Sequence, residues 1–261
     1  MVRRVEPVMG TVVGVDIRDA AAAGVVEPAL DAFFETLRDI DARFSPYRPD
    51  SEVSRIADGR LAEPDASADV RFVLACCDHL AASSDGAFDA RRHRRDGRLD
   101  PSGFVKGWAI DEALRHLDAA GLRCFAINAG GDVVVRGSPE PERGWFVGIR
   151  DPRHPDRVVA RLELRSGAVA TSALYERPDH IRDPRTGTVP NDLLSLTVVG
   201  PELTWADAYA TTAFTIGDSG LAWVERHPGY GAIAITSDDH LVWSPTAAPL
   251  ISRGSQEPTL S

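Results

Sequence analysis

The sharpest chemical signal in the chain is a carboxylate and a hydroxyl four residues apart, Asp207 and Thr211 in the stretch TWADAYATTAFTIG. On a helix the two oxygens share a face and can reach one hard cation together. Mg²⁺ suits such a pair, because it takes few protein ligands and completes its shell with waters and phosphate oxygens. Both residues also have ordinary structural uses, Asp207 as an early-turn acid and Thr211 bonded back to the carbonyl one turn earlier. A second group lies in LDPSGFVKGWAID, where Asp100 and Gly103 precede a helix expected to hold Lys106 in its first turn. A helix N-terminus offers free N–H groups and positive dipole to an anion, so a cation there is unfavourable unless a phosphate or carboxylate sits opposite it. On that basis Lys106 points to an anionic ligand, and its removal is expected to leave the ligand-free protein unharmed or slightly more stable. In the third group, DHIRDPRTG, His180 lies beside a rigid turn built on Asp183, Pro184 and Gly187. His180 is a candidate proton donor or ligand contact, and His180 and Asp183 are the catalytic candidates.

Weaker signals surround these. Met9 to Thr11 read MGT where a strand begins, Tyr47 stands in a Pro-bounded turn, and Ala87, Phe88 and Asp89 follow a helix end at Gly86. Taken singly, each reads as turn or capping chemistry. The basic run RRHRRDGR that follows reads as a solvated loop which, beside an anionic ligand, would steer phosphates.

The elements that must position these groups are outlined by hydropathy. Thr11–Ile17 alternates as a half-buried strand, and over 26–44 the residues Leu30, Phe33, Phe34, Leu37 and Ile40 make one apolar helical stripe. Further helices are expected over 68–83, capped by Ser67 or Asp65, over 105–120, ended by Gly121, over 204–216 and over 221–226. Strands are expected over 145–149, 158–164, 168–171, 196–199, 232–235 and 241–243, and CFAINAGGDVVVRG breaks a strand at an Asn-Ala-Gly-Gly-Asp corner. Strands and helices do not alternate strictly, which favours an α+β fold with mixed or antiparallel sheets flanked by helices. One domain over 1–250 and a disordered tail over 251–261 complete the outline.

A formal charge of −10 and a pI near 5.2 leave no broad basic field for nucleic acid or an anionic membrane. Three cysteines, two of them adjacent, read as reduced thiols and suit a cytoplasmic protein; the N-terminus lacks the apolar run of a signal peptide, and no stretch reads as a membrane span.

Taken together, MGT, FSPYRPDSEVSRI, GAFD, DPSGFVKGWAID, INAGGDVVVRG, AVATSALYE, HIRDPRTG and ADAYATTAFTIG resemble, in order, the motifs of the ApbE family of flavin transferases, over residues 9–217. The resemblance implies an FAD:protein FMN transferase. In such an enzyme a Thr or Ser hydroxyl of a target flavoprotein, in a D-G-x-[ST]-G-A-[ST] site, attacks the flavin-side phosphorus of FAD and AMP leaves, with Mg²⁺ on the pyrophosphate. It also implies that Met9, Tyr47, Ala87, Phe88 and Asp89 line the FAD site with Asp100, Lys106 and the His180–Ile181 segment. Asp207 and Thr211 would bind the metal, with the main-chain oxygen of Gly103 close by. Two departures stand out: Ala173 replaces a usual glycine, and the stretch between Asp89 and Asp100 is short and basic, implying a smaller or more basic lid over the adenine. An FAD pyrophosphatase and a flavin-binding protein without turnover are the alternatives on the same residues.

Overall fold

The computed structural model describes residues 1–92, 94, 96–154, 156–173 and 182–252. Alternation builds the frame. In β2 (Thr11–Ile17) the side chains of Val13, Val15 and Ile17 are buried and Val12 is exposed. An unanticipated strand, β1 (Val2–Val8), pairs antiparallel with β2 through a two-residue turn, Val8 opposite Thr11. Met9 and Gly10 in that turn both take positive φ, 54° and 68°, as two-residue hairpins require. The Asn-Ala-Gly-Gly-Asp corner repeats the device: β3 (Phe125–Ala129) and β4 (Asp132–Arg136) pair across Gly130 and Gly131, with φ of 63° and 104°.

Seven further strands follow: β5 (Trp145–Arg150), β6 (Val158–Leu164), β7 (Ser166–Ala173), β8 (Leu193–Gly200), β9 (Gly231–Thr236), β10 (Leu241–Trp243) and β11 (Ile251–Ser252). One eight-stranded sheet runs in the order β1-β2-β3-β4-β7-β8-β9-β10, and a three-stranded sheet in the order β11-β6-β5. Every pairing is antiparallel, so the α+β expectation holds in its antiparallel form. The ordered chain runs two residues into the stretch expected to be a disordered tail, since Ile251 and Ser252 pair with Leu162 and Arg161; the rest of that tail lies outside the described residues.

The helices are α1 (Ala23–Phe44), α2 (Glu52–Ala57), α3 (Ala68–Ser83), α4 (Ser102–Ala119), α5 (Leu203–Ile216) and α6 (Gly220–Val224). The α1 stripe is buried as its spacing predicts, α4 packs against both α1 and α5, and α5 lies on β7 and β8. A second apolar cluster joins Val135, Val169, Val199 and Ile233 of the large sheet to Val147, Ile149, Leu162 and Leu164 of the small one. Ser67 occupies the α3 N-cap position without a side-chain cap bond; the Glu52 carboxylate instead accepts from its N–H at 2.7 Å.

Helix α4 starts three residues earlier than its hydropathy suggested. The Asp100 side chain accepts from the Ser102 N–H at 3.0 Å and fixes that start. Gly103 is therefore inside the helix and Lys106 is on its second turn, away from the unfavourable end of the dipole. One residue on, Gly107 sets the approach of α4 to α5: a Cβ there would lie 2.5 Å from the Leu203 carbonyl oxygen. Gly107→Ala is expected to destabilise the protein by about 1–3 kcal/mol through overpacking. The urea midpoint is the readout, and an unchanged midpoint would mean that the two helices part freely.

Candidate active site

Both hairpin turns, the end of β7 and the facing sides of α4 and α5 enclose a cleft of about 730 Å³. Met9, Gly10 and Gly130 contribute from the turns and Thr171, Ser172 and Ala173 from β7. Gly103 and Lys106 come from α4, Asp207 and Thr211 from α5, and Tyr47, Arg94 and Asp100 from loops. Helix α5 can lie close to its neighbours because Ala206, Ala208, Ala210 and Ala213 are small and fully buried. That closeness sets Asp207 and Thr211 at the cleft floor.

Two carboxylates share one ammonium there. Asp207 is 5% exposed; its Oδ2 accepts from the Gly107 N–H at 3.1 Å and its Oδ1 lies 3.4 Å from Lys106 Nζ. Asp132 is also buried; its Oδ1 accepts from the Thr171 N–H at 3.1 Å and its Oδ2 takes the Lys106 ammonium directly. Burial pushes the Asp207 carboxyl up to about 7, with Lys106 pulling against it and the Asp132 charge adding to it. Burial works against the Lys106 charge too, but Asp132 and Asp207 outweigh it and hold the ammonium protonated. Thr211 Oγ1 lies 3.2 Å from Ser172 Oγ, so a second hydroxyl joins the floor. Of the 29 lysines and arginines in the chain, Lys106 is the single lysine.

At the mouth, Tyr47 is 82% exposed and the Arg94 guanidinium lies 5.8 Å from its ring centroid. Arg94 also pairs with Asp96 at 2.8 Å and lies 3.6 Å from Asp100. The basic run is less free than its composition suggested, since Arg91 pairs with Glu63 and Asp78 and Arg98 with Asp58. Ala87, Phe88 and Asp89 line a small adjoining cavity of about 30 Å³ that shares Asp100, Gly103 and Thr211 with the cleft. They reach the site from behind its wall, the Phe88 ring lying against Gly103.

Asp183 lines neither cavity. Its carboxylate accepts from the backbone and guanidinium of Arg185, at 2.8–2.9 Å, and its carbonyl from Gly187 N–H at 2.7 Å. Burial would raise its carboxyl, yet the Arg185 bonds hold it below the ordinary carboxylate value. His180 and Ile181 lie outside the described residues. Ala173 ends β7 opposite Ser195 without positive φ, so glycine's freedom is not needed there. Asp132, Thr171, Ser172 and Arg94 went unassigned from sequence. Asp132 was visible only as the last residue of a Gly-Gly turn, and its partner is 26 residues away.

The family model described as the ApbE family matches residues 9–94 and 90–234. The chain belongs to the ApbE family. Solved ApbE structures share its fold. The flavin transferase ApbE from Vibrio cholerae superposes with a TM-score of 0.83 at 22% identity, over 95% of this chain and 98% of that one. An ApbE protein from Thermotoga maritima gives 0.83 at 22%, over 97% and 99%. An FAD:protein FMN transferase from Treponema pallidum is 32% identical over 204 residues, 69% of this chain and 56% of that protein. One from Rhodobacter capsulatus is 35% identical over 156 residues, 56% of this chain and 29% of that protein. The chain thus spans less than two thirds of the length of these two FAD:protein FMN transferases. Lys106, Asp132, Asp207 and Thr211 all fall within the ApbE match. The three cysteines are free thiols, and among the described residues no helix is long and apolar enough to cross a membrane.

Proposed function

We propose that this ApbE chain is a Mg²⁺-dependent FAD:protein FMN transferase that moves FMN onto a Thr or Ser hydroxyl of a target flavoprotein and releases AMP. The observation that carries the reading is the charge at the cleft floor. Two nearly dry carboxylates face one ammonium, and the incompletely neutralised one, Asp207, lies one helical turn from the Thr211 hydroxyl. Residual negative charge and oxygen-only donors suit a hard divalent cation, which Asp207, Thr211 and the main-chain oxygen of Gly103 would hold. Mg²⁺ bound there would neutralise the pyrophosphate and stabilise the charge that develops on it.

The remaining work belongs to side chains. Lys106 offers N–H donors to a phosphate oxygen at the floor, Tyr47 packs on a flat ring at the mouth, and the glycine turns let backbone approach the ligand closely. The acceptor hydroxyl, in a D-G-x-[ST]-G-A-[ST] site, attacks the flavin-side phosphorus in line as the bond to AMP breaks. His180 is the proposed proton-transfer residue, and Asp183, engaged by Arg185, would hold the turn beside it. Incubation with FAD and Mg²⁺, with and without an acceptor, tests the reading: AMP should appear only with the acceptor. AMP and free FMN without acceptor would mean hydrolysis, and intact FAD throughout would mean binding alone.

Tyr47→Ala is expected to weaken FAD binding by about 0.5–1.5 kcal/mol, the worth of an aromatic stacking contact. Because the ring is so exposed, stability should change by no more than about 0.5 kcal/mol. Flavin fluorescence quenching reads the affinity, and an unchanged value would remove Tyr47 from the site.

A further inference from the structure

We propose that Asp132 is a positioning residue for the cation seat: it holds the Lys106 ammonium away from Asp207 and so keeps the Asp207 carboxylate open to a divalent cation. This rests on the cleft floor being the Mg²⁺ site. Asp132 itself is outside the proposed ligand set. Its own place is fixed from two sides, by the Thr171 N–H on Oδ1 and by the Lys106 ammonium on Oδ2, and its backbone is anchored at the start of β4, opposite Ala129. Lys106 therefore sits in direct contact with Asp132, while its 3.4 Å separation from Asp207 Oδ1 is longer than a normal charge-assisted hydrogen bond.

The arrangement is a division of partners. A lysine stem has four flexible carbons, and a buried carboxylate within reach draws the ammonium to it. Without the Asp132 charge, the best acceptor left to Lys106 is Asp207 Oδ1, since Oδ2 is already engaged by the Gly107 N–H. A direct Lys106–Asp207 pair would occupy the oxygen that a cation needs. Arginine, used at all 28 other cationic positions, carries a planar fork that would grip one carboxylate bidentately, whereas the ammonium can touch one carboxylate while keeping a longer ion pair to the other.

Simple Coulomb attraction makes a different prediction. If Lys106 stayed in place, losing the Asp132 charge would weaken cation binding equally whether or not Lys106 were present. A double-mutant cycle separates the two. Mn²⁺ is the probe, titrated without FAD and followed by paramagnetic resonance, against the wild type, Asp132→Asn, Lys106→Met and the double variant. Asp132→Asn should lower Mn²⁺ affinity by about tenfold or more with Lys106 present, and by no more than about threefold once Lys106→Met is in place. Asn keeps an acceptor for the Thr171 N–H, and in the double variant position 132 is uncharged, so melting curves should show all four proteins folded. A second readout needs no cation: lysine labelled at Cε gives one NMR signal in this chain. That signal should move further in Asp132→Asn, which loses the direct contact, than in Asp207→Asn, where Nζ lies 3.4 Å from Oδ1. Equal affinity losses in both backgrounds, or an unmoved signal in Asp132→Asn, would overturn the role of Asp132 while leaving the Mg²⁺ reading intact. A wild type that binds no Mn²⁺ would overturn both.

Discussion

Asp207→Asn should lower Mg²⁺-dependent AMP release from FAD by at least about a hundredfold, the scale of losing a principal electrostatic stabiliser at a reacting phosphate. Asp207 is the only carboxylate in the proposed ligand set, and a neutral amide oxygen cannot balance the charge of a divalent cation. The fold should survive, because the Lys106–Asp132 pair remains and the Gly107 N–H keeps an acceptor. Stability gives a second, independent reading. Burial pushes the Asp207 carboxyl up to about 7 in the folded protein, against about 4 in an unfolded chain. Between those pH values the folded state holds the proton that the unfolded chain has lost. Without a divalent cation, stability therefore falls as pH rises through that window. Asparagine has no proton to lose. Asp207→Asn should melt above the wild type at pH 8 in chelator, and the gap should close near pH 4. A gap that is the same at both pH values would show that Asp207 is charged in the folded protein throughout.

Lys106→Met is expected to act twice. Loss of a charge-assisted hydrogen bond to phosphate should weaken FAD binding by about 1–3 kcal/mol. The ligand-free protein should also lose about 2–4 kcal/mol, because two buried carboxylates are left without their counter-charge. That second effect reverses what the sequence suggested. A lysine on the first turn of α4 would oppose the helix dipole, and removing it would help. Lys106 in fact sits on the second turn, between Asp132 and Asp207. The destabilisation should shrink at acidic pH as Asp207 takes up its proton. Lys106→Arg should not rescue the protein, since a guanidinium cannot occupy the space of an ammonium between the same two oxygens. FAD titration and ligand-free melting curves of both variants measure these effects. An unaltered melting temperature for Lys106→Met would mean that the ammonium contributes nothing to the resting fold.

Periodicity made the frame legible because most elements bury a single face. β2, β6, β10 and α3 have the expected bounds, and the α1 stripe is core. β1 escaped because VRRVEPV is an edge strand whose alternation puts Arg4 and Glu6 on one face with Val2 and Val8, and Arg3 on the other with Val5 and Pro7, a pattern without an apolar face. The start of α4 moved because one side chain, Asp100, accepts from the Ser102 N–H, a local bond to which hydropathy is blind. At the site, Asp207 and Thr211 were legible because both lie on one helix at a spacing that carries meaning. Asp132 was not, because its contact with Lys106 joins β4 to α4 and is created by sheet topology. The ion pairs of the arginines in the 90s loop were hidden for the same reason, their acid partners Glu63, Asp78 and Asp58 lying elsewhere in the chain.

The most direct test of FMN transfer is the intact mass of an acceptor protein bearing a D-G-x-[ST]-G-A-[ST] site, before and after incubation with this chain, FAD and Mg²⁺. The expected result is a gain of one FMN at a Thr or Ser of that site, one AMP released per acceptor modified, and loss of both when the divalent cation is chelated. An acceptor of unchanged mass, with AMP released alongside free FMN or with FAD left intact, would contradict it.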